Sequence, residues 1–89
     1  APGTVVSGAQ VRRSILSNRV YVNEHSEIDE CIIMRGAQIG RGCKLRRCII
    51  DKGVEVPSGV SIGFNHEEDR KHFHVSDDGI VVVFAFYGG

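Results

Sequence analysis

The stretch Gln38–Ile50, QIGRGCKLRRCII, decides the fold because its aliphatic residues recur at steps close to six. From Ile33, the steps to Ile39, Leu45 and Ile50 are six, six and five residues, and the 17-residue cycle then restarts. Followed outward in both directions, the cycle gives three aliphatic columns over the first two thirds of the chain. The columns are Val5, Val22, Ile39 and Val56; Val11, Ile28, Leu45 and Ile62; and Leu16, Ile33 and Ile50.

This spacing predicts a β-helix. A period near six, with an aliphatic residue at each step, is typical of hexapeptide repeats. Three short faces then make one triangular coil, and successive coils stack at the ~4.8 Å spacing of neighbouring strands. An α-helix would place apolar residues three and four apart, and a half-buried sheet would alternate them. We therefore predict an all-β, parallel β-helix over residues 1–63, with about three and a half coils between Val5 and Gly63.

A second set of positions keeps the same register, and slim side chains are expected at the inward sites among them. They lie four residues after each column and comprise Ala9, Ser26, Cys43 and Val60; Val20, Ala37 and Val54; and Ile15, Ile32 and Ile49. Ser14, Cys31 and Cys48 form a further 17-spaced column. Glycines are expected at the corners, where angles closed to other residues are needed. These are Gly8, Gly36, Gly40, Gly42, Gly53, Gly59 and Gly63.

The charges support the register independently, because residues 17 apart lie above one another in such a coil. Opposite charges then alternate down the stack, and each such pair contributes ~0.2–1 kcal/mol. The stacked sets are Arg12, Asp29 and Arg46; Arg13, Glu30 and Arg47; Glu24 and Arg41; and Glu27 and Lys44.

Composition limits the class of protein. The chain has 89 residues, enough for one domain, and its 11 basic and 11 acidic residues cancel. We therefore expect neither a nucleic-acid nor a membrane partner. No apolar run is long enough to span a bilayer, and Ala1 does not open a secretory leader. Three cysteines do not suggest a disulfide framework, so reduced inward thiols in a cytoplasmic protein are expected, although Cys31 and Cys48 could pair.

The pattern changes in residues 64–89, which are expected to cap the last coil. Asn65 followed by Glu68 is typical of a helix N-cap with its capping box, and predicts a short helix over His66–His72. We expect extended chain over His74–Ser76, a turn at Asp77–Gly79 and a strand over Ile80–Val83. Repeat arrays need such atypical ends, because an open coil exposes backbone and apolar surface.

Three further kinds of chemical site are disfavoured by the sequence. Gly40-Arg41-Gly42 superficially resembles a phosphate loop, but corner glycines are the better interpretation. A zinc site built from His66, Asp69, His72 and His74 lacks a convincing ligand set. His25 is the one coil histidine that could serve a trimeric acyltransferase, and Cys43 is expected to point inward with its column.

Three stretches carry a family resemblance: Pro2–Gly8, Cys43–Lys52 and the tail Glu67–Val81, which ends in Asp78-Gly79-Ile80-Val81. Together they resemble the C-terminal domain of bacterial ADP-glucose pyrophosphorylase, also called glucose-1-phosphate adenylyltransferase, over about Pro2 to Val83. The resemblance implies that the β-helix is left-handed, and the short helix and hairpin predicted from residues 64–89 then lie at its C-terminal end. It also implies an N-terminal nucleotidyltransferase domain as partner and a homotetramer.

The family's enzyme makes ADP-glucose and pyrophosphate from ATP and glucose 1-phosphate, with Mg²⁺, in glycogen synthesis. The resemblance places those functions in the N-terminal domain, so no catalytic residue, cofactor or metal is expected in this chain. It also implies a regulatory and assembly role, with Lys52 contacting a phosphorylated effector. Two further basic positions of the family correspond here to Ala85 and Gly89. A small trimeric acyltransferase or a generic β-helix scaffold remains the alternative.

Overall fold

The computed structural model describes residues 3–84, and their strands wind into stacked triangular coils. Eleven short strands build the coils, and a helix and two further strands follow them. The coil strands are β1 (Val5–Val6), β2 (Gln10–Arg12), β3 (Ile15–Leu16), β4 (Tyr21–Val22), β5 (Glu27–Asp29), β6 (Ile32–Ile33), β7 (Gln38–Ile39), β8 (Lys44–Arg46), β9 (Cys48–Ile50), β10 (Glu55–Val56) and β11 (Ser61–Ile62). The closing elements are α1 (His66–His72), β12 (His74–Val75) and β13 (Val81–Val83).

The strands form three sheets, one on each side of the solenoid. The first sheet has the order β1-β4-β7-β10, the second β2-β5-β8-β11, and the third β3-β6-β9-β13-β12. All neighbours are parallel except β12 and β13. Three complete coils and two sides of a fourth are present, so the predicted parallel β-solenoid is confirmed.

The 17-residue register holds in the second and third columns. Ile28 pairs with Val11 and Leu45, and Ile33 pairs with Leu16 and Ile50. In the first column one prediction is wrong, because Val6 rather than Val5 pairs with Val22. The connection from β1 to β2 is one residue shorter than the corresponding connections in later coils, and this moves β1 by one position.

The core is a narrow apolar column inside the coils. Its central members, Ile28, Ile33, Ile39, Leu45 and Ile50, are at most 1% exposed. The slim positions predicted four residues after the first and third columns include Val20, Ala37 and Cys43, and these three are buried in the core. Cys31 and Cys48 are also inward and buried, as their common column suggested.

The row formed by Ile15, Ile32 and Ile49 does not point into the core, unlike the other two sets of positions that follow a column. Ile15 is 63% exposed and Ile32 is 38% exposed. Each is followed directly by an inward residue, Leu16 or Ile33, and adjacent strand residues point to opposite faces. The grouping of this row with inward sites was therefore wrong.

Six of the seven predicted corner glycines have a positive φ, namely Gly8, Gly36, Gly42, Gly53, Gly59 and Gly63, but some corners use other residues. Between the second and third sheets, Arg13, Glu30 and Arg47 take the left-handed conformation, with φ between 47° and 52°. Gly40 has no positive φ, and a Cβ there would come within 2.6 Å of the Ser58 amide nitrogen. A close backbone approach, rather than a left-handed turn, therefore requires glycine at position 40.

The stacked charges make fewer direct contacts than their register suggests. Arg13 reaches both Asp29, at 2.8 Å, and Glu30, at 3.4 Å, and Arg47 approaches Glu30 at 3.9 Å. Arg12 lies directly over Asp29 in the register, but its guanidinium donates to Gln10 instead. Side-chain direction at the corner, and not strand pairing alone, selects the ionic partner.

Helix α1 and the hairpin close the C-terminal end of the solenoid. The Asn65 side chain accepts a hydrogen bond from the Glu68 amide, as predicted, whereas the Glu68 carboxylate contacts Lys71. The hydrogen bond from Lys71 lowers the pKa of the Glu68 carboxyl. Strand β13 pairs with β9 and takes the place of a fourth coil on the third side. Within residues 3–84, no helix is long and apolar enough to cross a membrane.

Candidate functional site: a groove beside Lys52

Lys52 lies at the corner between β9 and β10, and backbone hydrogen bonds hold that corner. Its amide donates to the Asp51 carboxylate at 2.8 Å, and the Gly53 amide donates to the Arg35 carbonyl in the coil above at 3.0 Å. The Asp51 amide in turn donates to the Val83 carbonyl at 3.0 Å. The corner is therefore fixed to both neighbouring layers, while the Lys52 residue itself is exposed.

The Lys52 groove is an open depression of about 630 Å³ at the end of the first sheet. Strand β10 is the terminal strand of that sheet, and Phe84, which is 66% exposed, stands at the groove beside it. The residues that line the groove are Asn23, Gln38, Ile39, Gly40, Lys52, Gly53, Val54, Glu55, Val56, Pro57, Ser58 and Phe84. One cation, one carboxylate and an aromatic side chain therefore share this surface.

The polar groups of the groove include an ammonium, a carboxylate and a hydroxyl. In the described part of the chain, the Lys52 ammonium forms no ion pair. The Ser58 hydroxyl accepts a hydrogen bond from the Arg41 amide, which leaves its proton available to a ligand. Glu55 repels an anion, however, and a single exposed charge contact is weak in water. One ammonium opposed by one carboxylate is therefore only a weak electrostatic attraction for an anion.

The two other positions of the family's basic set cannot be placed around the groove. Ala85 and Gly89 lie outside the described residues, as does the part of the apolar run Ile80–Tyr87 that follows Phe84. Phe84, Gln38 and Glu55 were missed as site residues. The 17-residue register places Gln38 next to Glu55, so that part of the wall was readable from the sequence. Nothing in the sequence signalled the approach of Phe84.

The disfavoured candidates do not assemble into a second site. No group of three potential metal ligands occurs among residues 3–84. The Asp69 carboxylate accepts a hydrogen bond from the Gly63 amide at 3.0 Å, and His72 lies 3.5 Å from Glu68. His25 is an exposed corner residue with φ 64°, and Cys43 is fully buried.

The coils and the groove define a hexapeptide-type β-solenoid with a ligand-sized depression at one corner. The chain belongs to the GlmU-like, C-terminal hexapeptide family, whose model matches residues 1–83. This places nearly all of the described residues within one family of repeats.

Individual relatives are more specific. The chain is 44% identical over 81 residues to the glucose-1-phosphate adenylyltransferase of Albidiferax ferrireducens, covering 91% of this chain and 19% of the relative. It is 46% identical over 85 residues to the same enzyme of Koribacter versatilis, covering 96% of this chain and 20% of the relative. It is 46% identical over 81 residues to the enzyme of Methylobacillus flagellatus, covering 91% of this chain and 19% of the relative.

These matches confirm the resemblance to the C-terminal part of glucose-1-phosphate adenylyltransferases. The chain spans about one fifth of the length of these relatives. The likeness therefore concerns their hexapeptide part.

Proposed function

We propose that this chain is the regulatory and assembly domain of a glucose-1-phosphate adenylyltransferase. The observation that supports this most is the 42–46% identity to enzymes of that name across 91–96% of the chain. Conversion of ATP and glucose 1-phosphate to ADP-glucose and pyrophosphate then belongs to an N-terminal nucleotidyltransferase domain. Mg²⁺ is expected with that catalytic part, and no residue of this chain is assigned to it.

The regulatory role rests on Lys52. Lys52 is exposed, forms no ion pair among the described side chains, and lines a groove large enough for a sugar phosphate or a nucleotide. A charge-assisted hydrogen bond to a phosphoryl oxygen is the interaction such a group makes best. Since the groove is open, further walls from the nucleotidyltransferase domain would be needed for tight binding.

The proposal also assigns partners and a compartment. The nucleotidyltransferase domain and further copies of the same protein are the expected partners, in a tetramer. The three cysteines are free thiols, and the cytoplasm is the compartment that would keep them so.

The test uses the parent enzyme, which is identified from the reading frame that contains this sequence. A continuous frame with a nucleotidyltransferase sequence before Ala1 is expected, and a native start codon at this point would contradict the proposal. In that enzyme, Lys52→Glu should raise the half-saturating effector concentration about 10- to 100-fold, the value of a hydrogen bond to a charged group. The rate without effector should be unchanged.

The matched control is Lys44→Glu, an exposed charge reversal in the middle of the second sheet. It should leave effector response as it is. An equal loss in both variants, or no loss in Lys52→Glu, would remove Lys52 from the effector site.

A further inference from the structure

Three exposed cations follow one another along the corner between the third and first sheets. They are Arg19, Arg35 and Lys52, one in each of three successive coils, and we call them the cationic corner. Within residues 3–84 none of the three forms an ion pair. Like charges on neighbouring strands destabilise each other, so this corner gains from an anion that lies against it.

The other two corners have a different charge pattern. Between the second and third sheets the sign alternates from Arg13 to Glu30 to Arg47. Arg13 contacts Glu30 at 3.4 Å there, and between the first and second sheets Arg41 contacts Glu24 at 3.3 Å. These corners therefore pair opposite charges, whereas the cationic corner leaves its charges unpaired in the part of the chain that the structure describes.

Backbone hydrogen bonds place Arg35 beside Lys52. The Gly53 amide donates to the Arg35 carbonyl at 3.0 Å, so the two corner positions are in register, one coil apart. Neighbouring coils are ~4.8 Å apart. Two long side chains that start at this separation can both reach one phosphoryl group, because each needs a charge-assisted hydrogen bond of only ~2.8 Å to a different oxygen.

A main-chain donor accompanies the charge of Arg35. In the Lys52 coil, the Asp51 carboxylate accepts the hydrogen bond of the Lys52 amide at 2.8 Å. In the neighbouring coil Met34 stands at the position of Asp51, and the Arg35 amide forms no hydrogen bond within residues 3–84. Arg35 therefore offers an anion both a guanidinium and an amide, in a turn without a carboxylate.

We propose that Arg35 binds the same ligand as Lys52, and that the pair selects a phosphoryl dianion over a carboxylate. Two cations compensate the two charges of a phosphoryl group, whereas a carboxylate carries a single charge for the pair. The planar fork of an arginine also matches the spacing of phosphate oxygens. Arg19 adds positive potential from about 10 Å away, two coil spacings from Lys52.

This inference rests on the proposed function, because it extends the Lys52 site, but the two can fail separately. The regulatory role requires that a ligand at Lys52 changes the rate of the parent enzyme. The role of Arg35 concerns binding alone, which the 89-residue chain can show without a catalytic domain.

Amide NMR titration of the 89-residue chain with inorganic phosphate tests the inference, at pH about 8, where phosphate is mainly a dianion. Binding should have a dissociation constant of roughly 1–10 mM. The amide signals expected to shift are those of Arg35, Gly36, Lys52 and Gly53. Acetate at equal ionic strength should shift them little.

Arg35→Gln should weaken phosphate binding about 3- to 10-fold, and Arg35→Lys should retain most of it. Arg46→Gln is the matched control, because it removes the same charge from an exposed residue of β8 on the second sheet. It should bind phosphate as the wild type does. The spectra show whether each variant is folded, and Arg35→Ala takes the place of Arg35→Gln if the latter perturbs the fold.

Three results would overturn the inference: no shifts with phosphate, equal shifts with acetate, or equal weakening by Arg35→Gln and Arg46→Gln. Weaker binding in Lys52→Gln, with Arg35→Gln unchanged, would reject Arg35 and leave the regulatory site intact. Conversely, phosphate binding that depends on Arg35, in a protein whose parent enzyme responds to effectors equally with Lys52→Glu, would keep the anion site and reject the regulatory function.

Discussion

Cys31 and Cys48 lie one above the other in adjacent coils, with their sulfur atoms 3.4 Å apart in the buried core. The hydrogen bond between the two thiols lowers the pKa of Cys31 and raises that of Cys48, with burial adding to the rise. Because the two thiols share this hydrogen bond, the ionisation of one opposes the ionisation of the other. Adjacent strands hold the two Cα atoms ~4.8 Å apart, within the range that a disulfide bridges.

We therefore predict that hydrogen peroxide converts this pair to an intrachain disulfide, with two thiol hydrogens lost and two waters formed from the peroxide. The rate should rise with pH as a thiolate forms in the pair, although burial will keep the reaction slow. Mass spectrometry after alkylation under denaturing conditions should find the bridge and one remaining thiol at Cys43. Closing this short loop should stabilise the fold by about 3 kcal/mol.

Cys43 is the internal control for the disulfide. Its column neighbours are Ser26 and Val60, and its thiol lies 3.0 Å from the Pro57 carbonyl. Cys43→Ser should cross-link like the wild type, and Cys48→Ser should not cross-link within the chain. A bridge that contains Cys43 would show that the coils stack in a different register.

Core truncation tests the register by stability. Ile33 and Leu45 are at most 1% exposed, so Ile33→Ala and Leu45→Ala should each lower the free energy of unfolding by ~2–5 kcal/mol in urea melts. Arg41→Ala removes an exposed 3.3 Å contact with Glu24 and should cost less than ~1 kcal/mol. Equal small losses at all three positions would contradict the column assignment.

Asp69 closes the open end of the second sheet. The residue is 4% exposed, and its carboxylate accepts a hydrogen bond from the Gly63 amide, which follows the terminal strand β11. Asp69→Ala leaves that amide without its partner, and should lower the free energy of unfolding by about 1–3 kcal/mol. Glu67→Ala, an exposed change in the same helical turn, is the control. Matching melting temperatures for the two variants would argue against a capping role.

The effector site should be incomplete in the isolated chain. The groove supplies Lys52 but also Glu55, and a lone exposed charge contact contributes little. Fructose 1,6-bisphosphate and AMP should therefore bind the 89-residue chain with a dissociation constant of about 1 mM or weaker in calorimetry. Micromolar binding would mean that this chain alone builds the pocket.

The isolated 89-residue chain is also expected to have no catalytic activity. Purified chain, mixed with ATP, glucose 1-phosphate and Mg²⁺, should form no ADP-glucose above the buffer blank. Product that survives a further purification step and co-migrates with the chain would show that the catalytic assignment is wrong.

Much of the fold could be predicted from the sequence, because in a repeat the spacing of the residues gives the register in which the strands pair. Ile28, Leu45 and Ile62 are 17 residues apart, and each lies directly beneath the last in the second sheet. The helix at His66–His72 was also predictable, because Asn65 and Glu68 are local signals that act within one turn. For the candidate site, the position of Lys52 at a corner followed from the same spacing.

Other features depended on where distant segments meet, and the spacing carries no information about that. Val83 pairs with Ile50 across 33 residues, and this return brings Phe84 to the groove beside Lys52. Rotamers at the corner, not register, directed Arg13 to Asp29. The sequence thus determined the coil and its core, since each inward position repeats locally. Only the tertiary structure decided the cap, the ionic partners and the walls of the groove, because those contacts join parts of the chain that share no period.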